Sequence, residues 1–327
     1  MTHQAKKNYQ SGMSIGLISH PTKDVSGSIE LLVEWRRTHA VRIVALEADA
    51  QRIGADVEVE VLTSAQFIDE VDLVVALGGD GTMLGAMRTV AGTSIPVLGV
   101  NYGNLGFLVE VEPDELTTAI ERIIAADYSV EAHHGLDVTV TAGDEEFHFM
   151  AFNDVSIARA PGEGMVNADL VVDSTAYGYF TADALVIATP AGSTAYNYAA
   201  GGPVLSPAVT AIVLTPVAPM SGIARSVVLG PKEKLGFAIG DSTTRAAIEI
   251  DGRVMSSVTA GDSVTISLVE NAAGVVRFDA GRHARKGRLK LSLLDLPLRA
   301  DQLRELVPLD VRKRELPRIL AQDSHKK

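Results

Sequence analysis

The stretch LVVALGGDGTMLGAMR, residues 73–88, decides the fold. It opens on a continuous apolar run that stops at Gly78-Gly79, the pattern of a strand buried on both faces. Met83, Ala86, Met87 and Val90 then recur at helical spacing, so a helix is expected over Thr82–Val90. Between strand and helix lie three glycines around one carboxylate, Gly78-Gly79-Asp80-Gly81-Thr82. Glycine allows a sharp turn and lets an anion approach amide N–H groups with no Cβ in the way. The helix start adds unpaired N–H donors and the positive end of the dipole. Gly78, Gly79, Gly81 and Thr82 are therefore the candidate phosphate-binding loop. A bare carboxylate beside a phosphate is repelled unless it serves a metal or a hydroxyl, which makes Asp80 a candidate general base for phosphoryl transfer.

Outward from this loop, SIGLISH (14–20) and IPVLGV (95–100) read as further buried strands, and residues 28–40 as a helix. VEVEVL (57–62) reads either as a strand or as an extended connection. Pro113 opens another helix at its first turn, carrying Leu116, Ile120, Ile123 and Ile124. Strands alternating with helices predict a parallel sheet. The style changes near Tyr128. DVTVTAG (137–143), EEFHFMAFNDVSIARA (145–160), DLVVDS (169–174), DALVIAT (183–189), SVVLG (226–230), AAIEIDG (246–252), DSVTISLVE (262–270) and VVRF (275–278) have the two-residue period of antiparallel strands. The expected fold is an α/β N-terminal domain with a parallel sheet, residues 1–127, plus a β-rich C-terminal domain, residues 128–291, α+β overall. A short helix is expected over 300–306, a tail packing back on the first domain over 292–327, and disorder at the last residues.

Composition narrows the function. The chain has 327 residues, 46% hydrophobic and 21% charged, as a folded globular protein does. It has no cysteine, which excludes disulfides, thiolate metal sites and a Cys nucleophile. No apolar run is long enough to span a bilayer and the N-terminus lacks a signal-peptide stretch, so a cytoplasmic protein with no membrane partner is expected. The net charge of −12 argues against a general nucleic-acid binder, which needs a cationic footprint. Residues 53–224 hold three cations, Arg88, Arg122 and Arg159, against 23 carboxylates, a net of −20; residues 225–327 are at +6. Any anionic ligand of the middle segment must be held mostly by something other than Lys and Arg.

Two standard phosphate motifs fail. The P-loop is absent, because no Gly-Lys pair occurs. Gly79-x-Gly81-x-x-x-Gly85 is a loose dinucleotide fingerprint, but the next strand ends at Val100-Asn101 rather than on the acid that would bind a ribose diol, which disfavours a Rossmann dehydrogenase.

LGGDGTML followed by VLGVNYGNLGFL (97–108) resembles the N-terminal signature of NAD kinases. FNDVSI (152–157) resembles their Asn-Glu/Asp motif, ADALVIATPAGSTAYNYAAGGPVLSP (182–207) their long Gly-rich signature, and IDG (250–252) their late Asp-Gly. The resemblance runs over roughly residues 14–290; the Gly-Gly-Asp-Gly loop alone is shared with lipid kinases and phosphofructokinases. It implies transfer of a phosphoryl group from ATP, or polyphosphate, to the 2′-hydroxyl of the adenosine ribose of NAD, with a divalent metal, usually Mg²⁺, in a homodimer or homotetramer. By the same resemblance Asp80 accepts the hydroxyl proton and Gly81 approaches NAD through its backbone. Asn153 and Asp154 bond the ribose and amide parts, and Asp183 contacts NAD. Thr194, Ala195 and Tyr196 line the adenine pocket, and Ala218 again approaches the dinucleotide. No metal ligands are assigned. The alternatives are a non-catalytic NAD(P)-binding homologue and a lipid or sugar kinase of the same glycine-loop superfamily.

The sequence departs from the family pattern at Ala191, where many members have Thr, and at Met220, where many have His. Tyr102, Gly164 and Thr181 stand at positions that are basic in many members, and EAHHGL (131–136) lacks the usual Glu-Arg-x-x-Leu. His133 and His134, adjacent on a strand, would face opposite sides. Arg88, two turns beyond the loop, reads equally as a phosphate ligand or a solvated helix charge. The run Arg282–Lys290 reads as a solvated face, or as a source of cations for another subunit.

Overall fold

The computed structural model describes residues 12–53, 59–103 and 107–279. Residues 1–276 form one compact unit; of the second, 277–327, only the first three residues are described. The expected helix at 300–306, the docking of 292–327, the disordered tail and the basic run 282–290 lie outside the described residues.

The N-terminal part is a parallel sheet in the order β5-β4-β1-β2-β3, made of β1 (Met13–Ser19), β2 (Val41–Leu46), β3 (Glu60–Leu62), β4 (Leu73–Gly78) and β5 (Pro96–Asn101). The helices are α1 (Ser26–Arg36), α2 (Glu47–Ile53), α3 (Ser64–Glu70), α4 (Asp80–Thr89) and α5 (Leu116–Ile124), the last entered through a 3₁₀ turn at Pro113–Glu115. All six residues of β4 are buried, as its unbroken apolar run predicts. β2, α2 and α3 are not legible in the periodicity. Arg42 interrupts β2 and pairs at the surface with Glu60 and Glu70, each at 2.5 Å. α3 starts at a capping box, in which the Thr63 side chain accepts from Gln66 N and the Gln66 side chain accepts from Thr63 N. Its Phe67 is fully buried against β1, where a Cβ on Gly16 would lie 2.3 Å from the ring. Glycine at 16 is what admits the phenyl ring.

The antiparallel part comprises β6 (Ser129–Ala142), β7 (Glu145–Ala151), β8 (Asp154–Arg159), β9 (Val166–Val172), β10 (Thr175–Ala182), β11 (Ala184–Ala188), β12 (Ile212–Val217), β13 (Ser221–Gly222), β14 (Val227–Leu229), β15 (Leu235–Ile239), β16 (Ala246–Ile250), β17 (Arg253–Val258) and β18 (Ser263–Arg277), with one short helix, α6 (Tyr196–Ala199). β18 joins the parts. It pairs antiparallel with β15 and, through Gly274 and Val275, parallel with β5, so one 12-stranded sheet runs in the order β13-β10-β9-β15-β18-β5 and on to β3. The segments 262–270 and 275–278, expected as two strands, are this one strand, continuous through Asn271 at φ +55°. A second sheet, β14-β12-β11-β8-β16-β17, is wholly antiparallel. A core including Leu136, Val138, Ile157, Phe180, Leu185, Ile187, Leu214, Phe237 and Ile248 draws on strands of both sheets. The segment 145–160, expected as one strand, breaks at Phe152-Asn153, where the chain passes from the first sheet to the second.

Phe67→Ala is expected to lower the unfolding free energy by about 3–5 kcal/mol, because the ring leaves a cavity between α3 and β1. Denaturant titration checks it. A loss below about 1 kcal/mol, the scale of a surface change, would contradict this packing.

Candidate active site

At the end of β4 a Cβ on Gly78 would lie 2.1 Å from the Thr82 hydroxyl oxygen, so the turn tolerates only glycine there. Gly79 and Gly81 have no described atom within 4 Å of where a Cβ would stand, which leaves that face of the loop open to a ligand. α4 begins at Asp80, two residues before the apolar spacing places it, because Gly79 O already accepts from Thr82 N and Met83 N at 3.0 and 3.1 Å. The Asp80 carboxylate is not bare. Oδ1 accepts from Leu108 N at 2.9 Å and Oδ2 from Phe107 N at 3.1 Å. The segment after β5 is thereby held against the glycine loop, and Tyr102 N donates to Gly78 O at 2.9 Å in the same sense. Tyr102 donates its hydroxyl to Ser28 at 2.6 Å, and its carbonyl oxygen accepts from the Lys23 ammonium.

Asn153 and Asp154 sit where β7 gives way to β8. Their backbone is organised by Asp251, whose side chain is only 1% exposed. Asp251 Oδ1 accepts from Asn153 N at 2.7 Å, Phe152 N at 3.0 Å and Asp154 N at 3.3 Å. Its other oxygen pairs with Arg88 of α4. The late Asp-Gly motif and Arg88, weighed separately in the sequence, are thus one contact, and Arg88 is neither a solvated charge nor free for phosphate. Burial, then the nearby charges of Asp251 and Glu249, push the Asp154 carboxyl up to about 7 against the opposing N–H of Tyr196.

The 189–202 loop packs on this turn. Thr189 donates its hydroxyl to Phe152 O at 2.7 Å and its amide to Asn153 O at 2.9 Å. A Cβ on Gly192 would fall 1.9 Å from Asn153 O, so the loop and the turn are in backbone contact. Buried Asn197 locks the loop from behind, donating to Ser193 O and Pro203 O and accepting from the Thr215 hydroxyl at 2.7 Å. Tyr196 is left 38% exposed, with burial and the charges of Glu249, Asp154 and Asp183 raising its phenol pKa. Asp183 pairs with Arg159 at 2.9 Å. Asp183 N donates to Val217 O at 3.0 Å, which sets it beside Ala218, exposed and at φ +47°. Thr194 turns its hydroxyl back to Ala191 O at 3.2 Å, and Ala195 sits half-buried at the start of α6.

The structure therefore joins Asn153, Asp154, Asp183 and Tyr196 through neighbouring charges and hydrogen bonds, and ties this group to α4 through Arg88. Asn197 and Glu249 escaped sequence reasoning: one is a buried loop lock, the other an alternating strand position that accepts from Ser156 at 2.8 Å. Beside Arg88 lies a cleft of about 450 Å³, lined among others by Gly85, Phe149, Met150, Arg253 and Met255. Arg253 brings a cation from the C-terminal stretch to the acidic middle one. His133 and His134 serve other contacts, Glu131 at 3.5 Å and Asn271 N at 3.2 Å.

A glycine loop opening a helix on a carboxylate, tied to a second carboxylate cluster with an aromatic edge, defines a phosphotransferase acting on a nucleotide. Residues 4–128 match the family model described as the ATP-NAD kinase N-terminal domain, and residues 152–278 the ATP-NAD kinase C-terminal domain. The chain belongs to the NAD kinase family. It is 34% identical to an NAD kinase of Sulfurimonas denitrificans over 78% of this chain and 88% of that one, and 37% identical to one of Heliobacterium modesticaldum over 64% and 74%. Its fold is similar to that of yeast NADH kinase complexed with NADH (TM-score 0.77, 23% identity, 88% of this chain and 89% of that one). It is also similar to that of an NAD kinase from Archaeoglobus fulgidus in complex with ATP (TM-score 0.64, 21% identity, 86% and 99%).

Because the Asp154 carboxyl titrates near 7 rather than at 3.8, the folded state holds its proton more tightly than the unfolded chain. Its contribution to stability is complete below pH 3.8 and is lost as pH rises through about 7. Ligand-free Asp154→Asn is expected to keep its melting temperature between about pH 5.5 and pH 8.5 better than wild type does, by several degrees. Parallel melting curves for the two proteins would contradict the raised value.

Proposed function

We propose that the chain moves the terminal phosphoryl group of ATP, or of polyphosphate, to the 2′-hydroxyl of the adenosine ribose of NAD. The observation that carries this is the tie from α4, which begins at Asp80, through Arg88 and Asp251 to the Asn153-Asp154 turn and on to Tyr196. Asp80 accepts the hydroxyl proton. The proton moves late, as the phosphoryl group transfers, while positioning supplies most of the rate. Gly81 and the first amides of α4 meet phosphate oxygens. Asn153 and Asp154 hold the ribose, Asp183 and Ala218 the far part of the dinucleotide, and Thr194, Ala195 and Tyr196 the adenine.

A divalent metal, Mg²⁺ by family, fits this donor set. Each Asp80 oxygen gives one lone pair to an amide and keeps another, and Mg²⁺ needs only one or two carboxylates plus substrate phosphates. Bound there by Asp80, it would neutralise charge developing on the phosphoryl oxygens.

The division into residues 1–127 and 128–291 is supported by the change from parallel to antiparallel pairing at β6. We further place the protein in the cytoplasm as a homodimer or homotetramer. Among the described residues no helix is long and apolar enough to cross a membrane. Tyr177, Tyr179 and Met220 are 53%, 47% and 69% exposed near the β10–β13 edge, a surface suited to a second copy.

Pure protein with NAD, Mg²⁺ and ATP or polyphosphate should yield NADP with at least one donor and none in chelator. NAD(P) binding without product would favour a non-catalytic homologue. Asp80→Asn should lower turnover about 10²-fold or more with little change in NAD affinity. Tyr196→Ala should weaken NAD binding through lost stacking area. Normal turnover in the first, or unchanged affinity in the second, would remove that residue from its role.

A further inference from the structure

We propose that Arg88 and Asp251 are positioning residues for the phosphoryl transfer, their buried ion pair fixing the Phe152–Asp154 turn in register with the glycine-loop helix. The proposal rests on the reading that Asp80 and Asn153 act on the same ligand.

Asp251 and Gly252 form the two-residue turn between β16 and β17, with Ile250 opposite Arg253 and both turn residues at positive φ, +48° and +76°. An Asp-Gly pair suits such a turn by itself. Asn would serve the turn equally well, so turn geometry does not account for the carboxylate. What accounts for it is the set of groups it collects. Three consecutive amides, from Phe152 to Asp154, donate to it, and its own amide returns a bond to Asp154 O at 2.9 Å. These fix the path of the Asn153-Asp154 backbone, and amides alone would satisfy a buried acceptor.

The other oxygen, which also takes a longer bond from Phe152 N at 3.3 Å, reaches Arg88, 163 residues away in sequence, on a helix of the other sheet's layer. Arg88 is one of only three cations between residues 53 and 224. Its side chain is 21% exposed and spends its charge on Asp251 rather than on solvent. It lies eight residues after Asp80 on one continuous helix, about 12 Å along a rigid axis. Fixing the last turn of α4 to the Asn153 turn therefore fixes where Asp80 stands relative to Asn153. Errors of about 1 Å in such alignment cost on the order of 10²-fold in rate while hardly touching ground-state binding.

The test measures kcat, KM for NAD and for ATP, NAD affinity and far-ultraviolet circular dichroism for Arg88→Met, Arg88→Lys and Asp251→Asn, each also in an Asn153→Ala background. Arg88→Met and Asp251→Asn are expected to lower kcat at least tenfold with NAD affinity changed less than threefold. Arg88→Lys, which keeps the charge, should recover a substantial part. In the Asn153→Ala background the Arg88→Met loss should shrink, because the turn being positioned then carries only the Asp154 side chain. A kcat within twofold of wild type for Arg88→Met, or a loss that simply multiplies with that of Asn153→Ala, overturns the proposal. If Arg88→Met fails to fold, Asp251→Asn decides by the same criteria. An Asn153→Ala protein with normal kcat and KM would instead overturn the underlying site reading, a separate and visible result.

Discussion

A carboxylate held away from water must be met by donors, and Asp251 shows how much structure one such requirement can organise. Its oxygens collect three backbone amides and a guanidinium drawn from two stretches far apart in sequence. Removing the guanidinium would leave a buried carboxylate without its counter-charge, a cost of several kcal/mol. The Phe152–Asp154 turn, the β16–β17 hairpin and the end of α4 are therefore not independent. The 189–202 loop joins the same unit, because Thr189 and Gly192 seat directly on the carbonyls of Phe152 and Asn153. Tyr196 follows from that loop and Asp183 from the strand before it. The geometry of the ligand face is thus inherited from one buried ion pair and the backbone around it.

The charge distribution gives this arrangement its electrostatic sense. The segment that holds every assigned site residue carries a net of −20 across residues 53–224. A polyanionic ligand pair entering it cannot be met by side-chain cations from that segment. One of the three is committed to Asp251 and another, Arg159, to Asp183. What remains is fixed polarity: the open face of Gly79 and Gly81 and the start of α4. Such donors are pre-oriented and need no reorganisation as charge develops. Among the described residues, cations also arrive from outside the segment. Lys23 reaches the Tyr102 carbonyl, and Arg253 lines the cleft beside Arg88.

The parallel and antiparallel parts, the buried β4 and the glycine turn were legible because each rests on local periodicity or on glycine's steric freedom. The same rules failed where long-range contacts decide. β2 offers only the short apolar run Ile43–Leu46, which periodicity alone does not tell from a helix, and its Arg42 is held at the surface by Glu60 and Glu70. The run 145–160 looked like one strand because its apolar alternation continues; what breaks it is Asp251, nearly a hundred residues later. Arg88 was ambiguous for the same reason. A helix charge eight residues past a loop carries no local mark of its partner. The site residues themselves were legible only by resemblance, except Asp80, whose place at a helix start follows from the turn alone.

The long strand β18 explains why such distant contacts can be kept exact. It pairs with β15 and β6 in the antiparallel part and with β5 in the parallel part. The glycine loop follows β4, the neighbour of β5, and so hangs from the same 12-stranded sheet as β7, which leads into Asn153. A shift between the parts would have to break ladder hydrogen bonds along β18, not merely swing a linker. Among the described residues, no such strand joins the second sheet to the first. It meets the first through the shared core, through repeated chain crossings of which Phe152-Asn153 is one, and through the Arg88–Asp251 pair. Apolar packing is non-directional and would allow the sheets to slide slightly; an ion pair buried beside three directed amide bonds does not. The polar contact therefore sits where translation between sheets would most disturb the chemistry, and the apolar core elsewhere is left to supply stability.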